Sequence, residues 1–248
     1  MLRLVVVAAA LIAAMLPAQA ATPLKIGIGL TKPPYIMAPA SDLPGFEYEI
    51  AEKALAASGY RMQAEQLPPA RALALMRADR LDGMLTVDEG IGGAHHFSEP
   101  YIHYQNVAVT LTARGIRLRH VDDLLQYSVA AFQNAHLLLG EPFRQMAMRH
   151  RNYREHPQQV TQNRLLFSGR VDVVVGDRLI FRYLTRELES PLPVAQAVEY
   201  HALFPASPRR AVFRDAAVRD AFNAGLKTIR RNGVYAAIAK KYQSLLEP

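Results

Sequence analysis

Few residues of this 248-residue chain stand in spacings that perform chemistry, and most of those are carboxylates, histidines and glycines. Asp177 ends the run Val175-Gly176-Asp177, after an apolar segment and before a helical one, where an aspartate accepts backbone N–H bonds as a cap. His95-His96 follows Asp88-Glu89, a grouping that suits an anion or, with those carboxylates, a metal. Adjacent imidazoles diverge and no further ligand is fixed, so neither a metal nor any other cofactor is expected. Ser98 and Ser168 have no histidine or acid that the sequence places beside them, so no hydrolase triad is indicated. Gly27-x-Gly29 lacks a third glycine and runs into Pro33-Pro34 instead of a helix, unlike a dinucleotide-binding loop. With no Cys, disulfide frameworks and thiolate metal centres are excluded.

The elements that must position these groups alternate. Residues 1–20 run from Arg3 through an apolar stretch, Leu4 to Leu16, to Pro17 and Ala18-Gln19-Ala20, the order of a secretory signal peptide. Export to the periplasm is therefore expected, with the mature chain starting near Ala21. Leu24, Ile26 and Ile28 alternate with Lys25, Gly27 and Gly29 as in a strand. Phe46, Ile50, Ala54 and Ala57 share a helical face that Gly59 ends, and Tyr60 to Glu65 alternates again. A helix from Pro68-Pro69 and a strand over 81–87 complete a β-α-β-α-β succession, the signature of a parallel sheet covered by helices. A strand over 106–112 precedes a second succession. It comprises strand 128–132, helix 137–150, strand 153–155, helix 160–167, strand 171–175 and helix 178–186. A short strand at 211–213 and helices broken at Gly233 close the chain.

The formal charge of +7 comes from 29 basic and 22 acidic residues, with 23 Arg and 6 Lys among the basic ones. Without Arg3 it is +6, and residues 113–202, with 12 basic and 9 acidic groups, carry half of that. No basic run exceeds two residues, so no nucleic-acid-binding face is expected.

Several short segments, each weak alone, occur together in one order. They are Pro33-Pro34-Tyr35, Gly45-Phe46-Glu47-Tyr48-Glu49-Ile50, Leu81-Asp82-Gly83, Phe97-Ser98-Glu99-Pro100-Tyr101, Asp123-Leu124, Gly169-Arg170-Val171-Asp172, Gly176-Asp177 and Asn232-Gly233-Val234-Tyr235 ahead of Lys241-Tyr242. In this the chain resembles the family 3 periplasmic solute-binding proteins over residues 24–243. The resemblance implies an α/β, type II periplasmic binding fold of two lobes, each a mostly parallel sheet flanked by helices, joined by a two-strand hinge. The lobes would comprise residues 24–112 with 203–248, and residues 113–202.

It also implies site residues. Asp177 corresponds to the family's ammonium-binding aspartate, and Asn134-Ala135-His136 to its segment offering backbone N–H groups to an anion, although the usual hydroxyl is missing. The carboxylate-clamping arginine belongs in residues 86–96, which contain no Arg but begin with Thr86. Arg71, opening a helix beside a family ligand position, is the candidate replacement. Lys32 stands where the family often places an aromatic ring, with Tyr35, Tyr101 and Phe132 as candidate apolar walls.

The implied function is capture of an amino acid or a related small polar, amine-bearing solute by lobe closure, with delivery to the permease of an ABC transporter by a monomer. Two alternatives share the scaffold. One is a dehydratase of the cyclohexadienyl or arogenate type, using Glu89, Glu99 or His136 as acid or base. The other is a ligand sensor read by a membrane receptor.

Overall fold

The computed structural model describes residues 21–87, 95–188 and 196–244; the expected signal peptide and the Asp88-Glu89 pair lie outside them. Among the described residues no helix is long and apolar enough to cross a membrane. Two sheets, each covered by helices, make up an α/β fold.

The first sheet has the order β2-β1-β3-β11-β4, from Tyr60–Gln66, Thr22–Ile28, Gly83–Val87, Ser207–Phe213 and His96–Phe97, with β5 (Ile102–Tyr104) paired to β11. β1 runs parallel to β2 and β3, while β11 runs antiparallel to β3. Alternation in β1 holds because Leu24, Ile26 and Ile28 face a core closed by α1 (Phe46–Ala56) and α7 (Ala216–Arg231). α2 (Pro69–Arg77) covers the other face through Ala72 and Met76.

Two glycines set the spacing of this lobe. Gly45 stands at φ +117°, and a Cβ there would lie 2.2 Å from the Tyr35 carbonyl oxygen, so only glycine fits. The close approach lets the Phe46 and Glu47 N–H groups donate to the carbonyls of Pro34 and Tyr35. The proline loop thus caps α1 and locks Tyr35 beside Glu47. At Gly225 a Cβ would lie 1.9 Å from the Ala54 carbonyl oxygen, which shows how closely α1 and α7 cross.

The second sheet has the order β10-β6-β9-β7-β8, from Val198–His201, Asn106–Leu111, Val173–Asp177, Val129–Phe132 and Tyr153–His156. β7 is parallel to β8 and β9, whereas β6 is antiparallel to β9 and β10. α4 (Glu141–Arg149) packs on one face, and α5 (Gln159–Phe167) with α6 (Arg178–Arg186) on the other.

Three differences from the sequence reading have physical causes. The strand expected in the first lobe up to residue 112 is β6, which pairs in the second sheet; every residue of it is buried, as befits an inner strand covered on both faces. The first crossing therefore falls at Gln105, before the expected boundary. The helix expected over 137–150 is two, α3 (Ala135–Leu138) and α4, parted by Gly140 at φ +87° with Pro142 in the first turn after it. β4 and β5, of two and three residues, are too short to show a period in sequence, and β10 was not expected.

Candidate functional site

A cavity of about 790 Å³ opens between the two lobes and is floored by the strands that join them. The first joining strand runs from β5 through Gln105 into β6, and the second from β10 through residues 202–206 into β11. They pair on both sides of the crossing, His201 with Ala108 and Ser207 with Tyr104. Between these pairs the Gln105 side-chain amide donates to the carbonyls of Asn106 and Phe204, each at 3.0 Å, and so ties the two strands together.

On the first-lobe side, the ring of Tyr104 lines the cavity. The Lys32 ammonium lies 4.5 Å from its centroid and the Arg209 guanidinium 4.7 Å. Both cations line the cavity as well. The Tyr104 hydroxyl donates at 2.9 Å to Glu47, which is completely buried. Tyr101 and Thr86 also donate hydroxyl hydrogens to Glu47. Burial, and then the Glu47 charge, push the Tyr101 and Tyr104 hydroxyls well above the ordinary tyrosine range, so they stay protonated and donate. Thr86 lines the cavity at φ +58°, a conformation strained for a β-branched residue, with the Tyr101 oxygen accepting its N–H at 3.1 Å.

On the second-lobe side, Asp177 ends β9, caps α6 and is 4% exposed. Its Oδ1 accepts from the N–H groups of Leu179 and Ile180 at 2.9 and 3.1 Å, and its Oδ2 from that of Gln105 at 2.8 Å. The Tyr35 hydroxyl, from the first lobe, reaches both oxygens at 3.2 and 3.1 Å. Burial raises the pKa of this carboxyl, opposed by those hydrogen bonds. Asp177 lines the cavity, and among the described residues it is the one carboxylate that does.

The expected site residues separate into three groups. Asp177, Lys32 and Thr86, with Phe132, meet at the cavity. Tyr35 and Tyr101 are buried behind it, where they hold Asp177 and Glu47 instead of forming walls. Arg71 is exposed on α2, outside the lining. The Asn134 and His136 N–H groups donate to Glu155 at 2.8 and 3.0 Å, so Glu155 fills the place expected for a ligand anion, beside Ala135. Burial pushes the Glu155 carboxyl up, but those two N–H groups, the Tyr153 hydroxyl and the His136 ring outweigh it and hold the pKa at about 2.

Of the acid–base candidates, His136 is engaged with Glu155, Glu99 lies in a surface hollow with Asn223 and Lys227, and Glu89 lies outside the described residues. No group of three or more metal-ligating side chains occurs among the described residues. Among the cavity residues that the sequence did not mark are Tyr104, Arg209, Asn106 and Gln159. Only the cross-strand pairing of Arg209 with Ile102 brings Arg209 here, and no short motif announces it.

A family model for bacterial extracellular solute-binding proteins, family 3, matches residues 24–244. No curated protein sequence matches. The fold is similar to that of the GluR0 ligand-binding core complexed with L-glutamate, at TM-score 0.68 and 17% identity, over 90% of this chain and 99% of that one. It is also similar to the arginine-, lysine-, histidine-binding protein ArtJ of Geobacillus stearothermophilus, at TM-score 0.64 and 14% identity, over 89% and 95%. A histidine kinase sensor domain with similarity to periplasmic binding proteins superposes at TM-score 0.66 and 19% identity, over 90% and 96%. At these identities the likeness concerns the fold.

Proposed function

The chain belongs to the bacterial extracellular solute-binding proteins, family 3, and from that membership we propose that it captures a small polar solute, an amino acid or a related molecule, between its lobes in the periplasm. The observation that carries this reading is the cavity, walled by both lobes and floored by a two-strand hinge. A solute touching Lys32 and Thr86 on one side and Phe132 and Gln159 on the other makes its full set of contacts only when the lobes are together. Binding therefore favours closure, by the difference in affinity between the closed and open forms. The closed form is then what a partner recognises, and that partner is the permease of an ABC transporter.

The amine-bearing class expected from sequence depends on Asp177. That carboxylate has about four lone-pair sites, and Leu179, Ile180, Gln105 and Tyr35 supply four donors to it. An ammonium group would have to displace the Tyr35 hydroxyl to bind there.

Native mass spectrometry of protein purified from periplasm tests capture, with the expected result a retained small molecule released on unfolding. An empty protein whose melting temperature no amino acid or small acid changes would sink the reading, because a ligand bound only by the native state must raise it. Cross-linking in membranes tests the partner, and recovery of a receptor kinase in place of a permease would replace transport by sensing.

A further inference from the structure

We propose that the solute carries an apolar body, an aliphatic chain or an aromatic ring, gripped between Leu30 of the first lobe and Leu138 of the second, with its polar end toward the hinge. The proposal rests on the capture reading above and names the class of solute that the same cavity takes.

Leu30 and Leu138 both line the cavity, and they are 55% and 59% exposed. Exposed leucines scattered singly carry no message. These two belong to one cleft, with Leu67, Pro69 and Leu139 in the same lining, and an apolar wall with a few polar groups is the usual form of a small-molecule site.

The strand order sorts that wall along the cleft. In the first sheet β11 and β5 lead to the hinge and β3 lies next to β11, which puts Arg209, Tyr104 and Thr86 at the hinge end. β1 and β2 lie farther out, and Leu30 and Leu67 follow them. In the second sheet β6 and β9 carry Asn106 and Asp177 beside the hinge, while β7 lies beyond them and leads into Leu138 and Leu139. Gln159, which opens α5, adds a polar group on this outer side.

An apolar body placed there leaves water together with the side chains it touches, and each methylene so buried strengthens binding about fourfold. Because Leu30 and Leu138 stand on opposite lobes, a body in contact with both gains its full burial only in the closed form. The apolar part of the solute therefore favours closure as well as affinity.

Thermal unfolding and calorimetry on the wild-type chain with matched probes test this. Each pair keeps one head group and exchanges an apolar body for a polar one of similar length: leucine and glutamine, hexanoate and adipate, hexylamine and hexamethylenediamine. The expected result, for whichever head group binds, is at least about tenfold tighter binding of the apolar member. Leu30→Ser and Leu138→Ser remove exposed side chains and so open no core cavity. Each should weaken the apolar member at least about fivefold and the polar member less. A polar member that binds as tightly as its apolar counterpart, or more tightly, would overturn the proposal while leaving capture intact. Apolar binding unchanged in both variants would also overturn it, since the grip would then lie elsewhere. No shift with any probe would remove the capture reading, and this proposal with it.

Discussion

At the scale of single residues, the same carboxylate can serve a ligand or the protein, and counting donors separates the two. Asp177→Ala would orphan the Leu179, Ile180 and Gln105 N–H groups and the Tyr35 hydroxyl at a site 4% exposed. Loss of a cap costs about 1 kcal/mol and each buried unpaired group about 1–3 kcal/mol, so the variant should lose at least about 2 kcal/mol in urea unfolding. A loss below about 0.5 kcal/mol, the level of an inert surface change, would return Asp177 to the role of a waiting ligand acceptor. Glu155 makes a second prediction. Its folded pKa is about 2, below the roughly 4.3 of an unfolded glutamate, so its stabilisation is present above that unfolded value. It is lost as pH falls from there through 2. Melting temperature should drop over that window in the wild type, and Glu155→Gln should flatten that part of the profile. The sequence made Asp177 legible because strand, aspartate and helix are neighbours along the chain. Arg209 and Tyr104 were illegible because they meet only across an antiparallel pair, and Glu47 was visible only as one letter of a motif.

At the scale of elements, legibility followed exposure. β1 and α1 alternate between core and solvent, so their periods show in sequence, whereas β6 is buried on every residue and its sheet could not be told from its pattern. The crossing of α1 over α7 was silent as well, since it depends on the absence of a side chain at Gly225. Ala in place of a mid-helix glycine normally gains about 1 kcal/mol of helix propensity. Here its Cβ would lie 1.9 Å from a backbone oxygen that cannot rotate away, so the helices must separate. Overpacking of this kind costs about 1–3 kcal/mol. The clash wins on these magnitudes, and Gly225→Ala should lower the melting temperature; an unchanged or raised value would mean that α7 slides at no cost.

At the scale of the whole molecule, the contacts between lobes set how far apparent affinity lies below the affinity of the closed form. Two kinds of contact flank the hinge: the Tyr35 hydroxyl on Asp177, and Leu179, Ile180 and Leu184 of the second lobe packed in the core cluster of the first. Tyr35→Phe removes the first and leaves the ring packing against Tyr104 in place, at a centroid distance of 4.3 Å. A net hydrogen bond of about 0.5–1.5 kcal/mol then no longer favours the closed arrangement, which shifts the open-to-closed ratio roughly two- to tenfold. Where the competent form is already a minority, apparent dissociation constants rise by the same factor. Small-angle scattering should therefore show a larger radius of gyration for unliganded Tyr35→Phe than for wild type, and equal radii once both are saturated with solute. The variant also frees an acceptor site on Asp177, so any binding of an amine such as putrescine should strengthen. Equal unliganded radii with unchanged affinities would show that Tyr35 only fills space, and that the apolar residues of α6 and the paired hinge strands hold the lobes together without it.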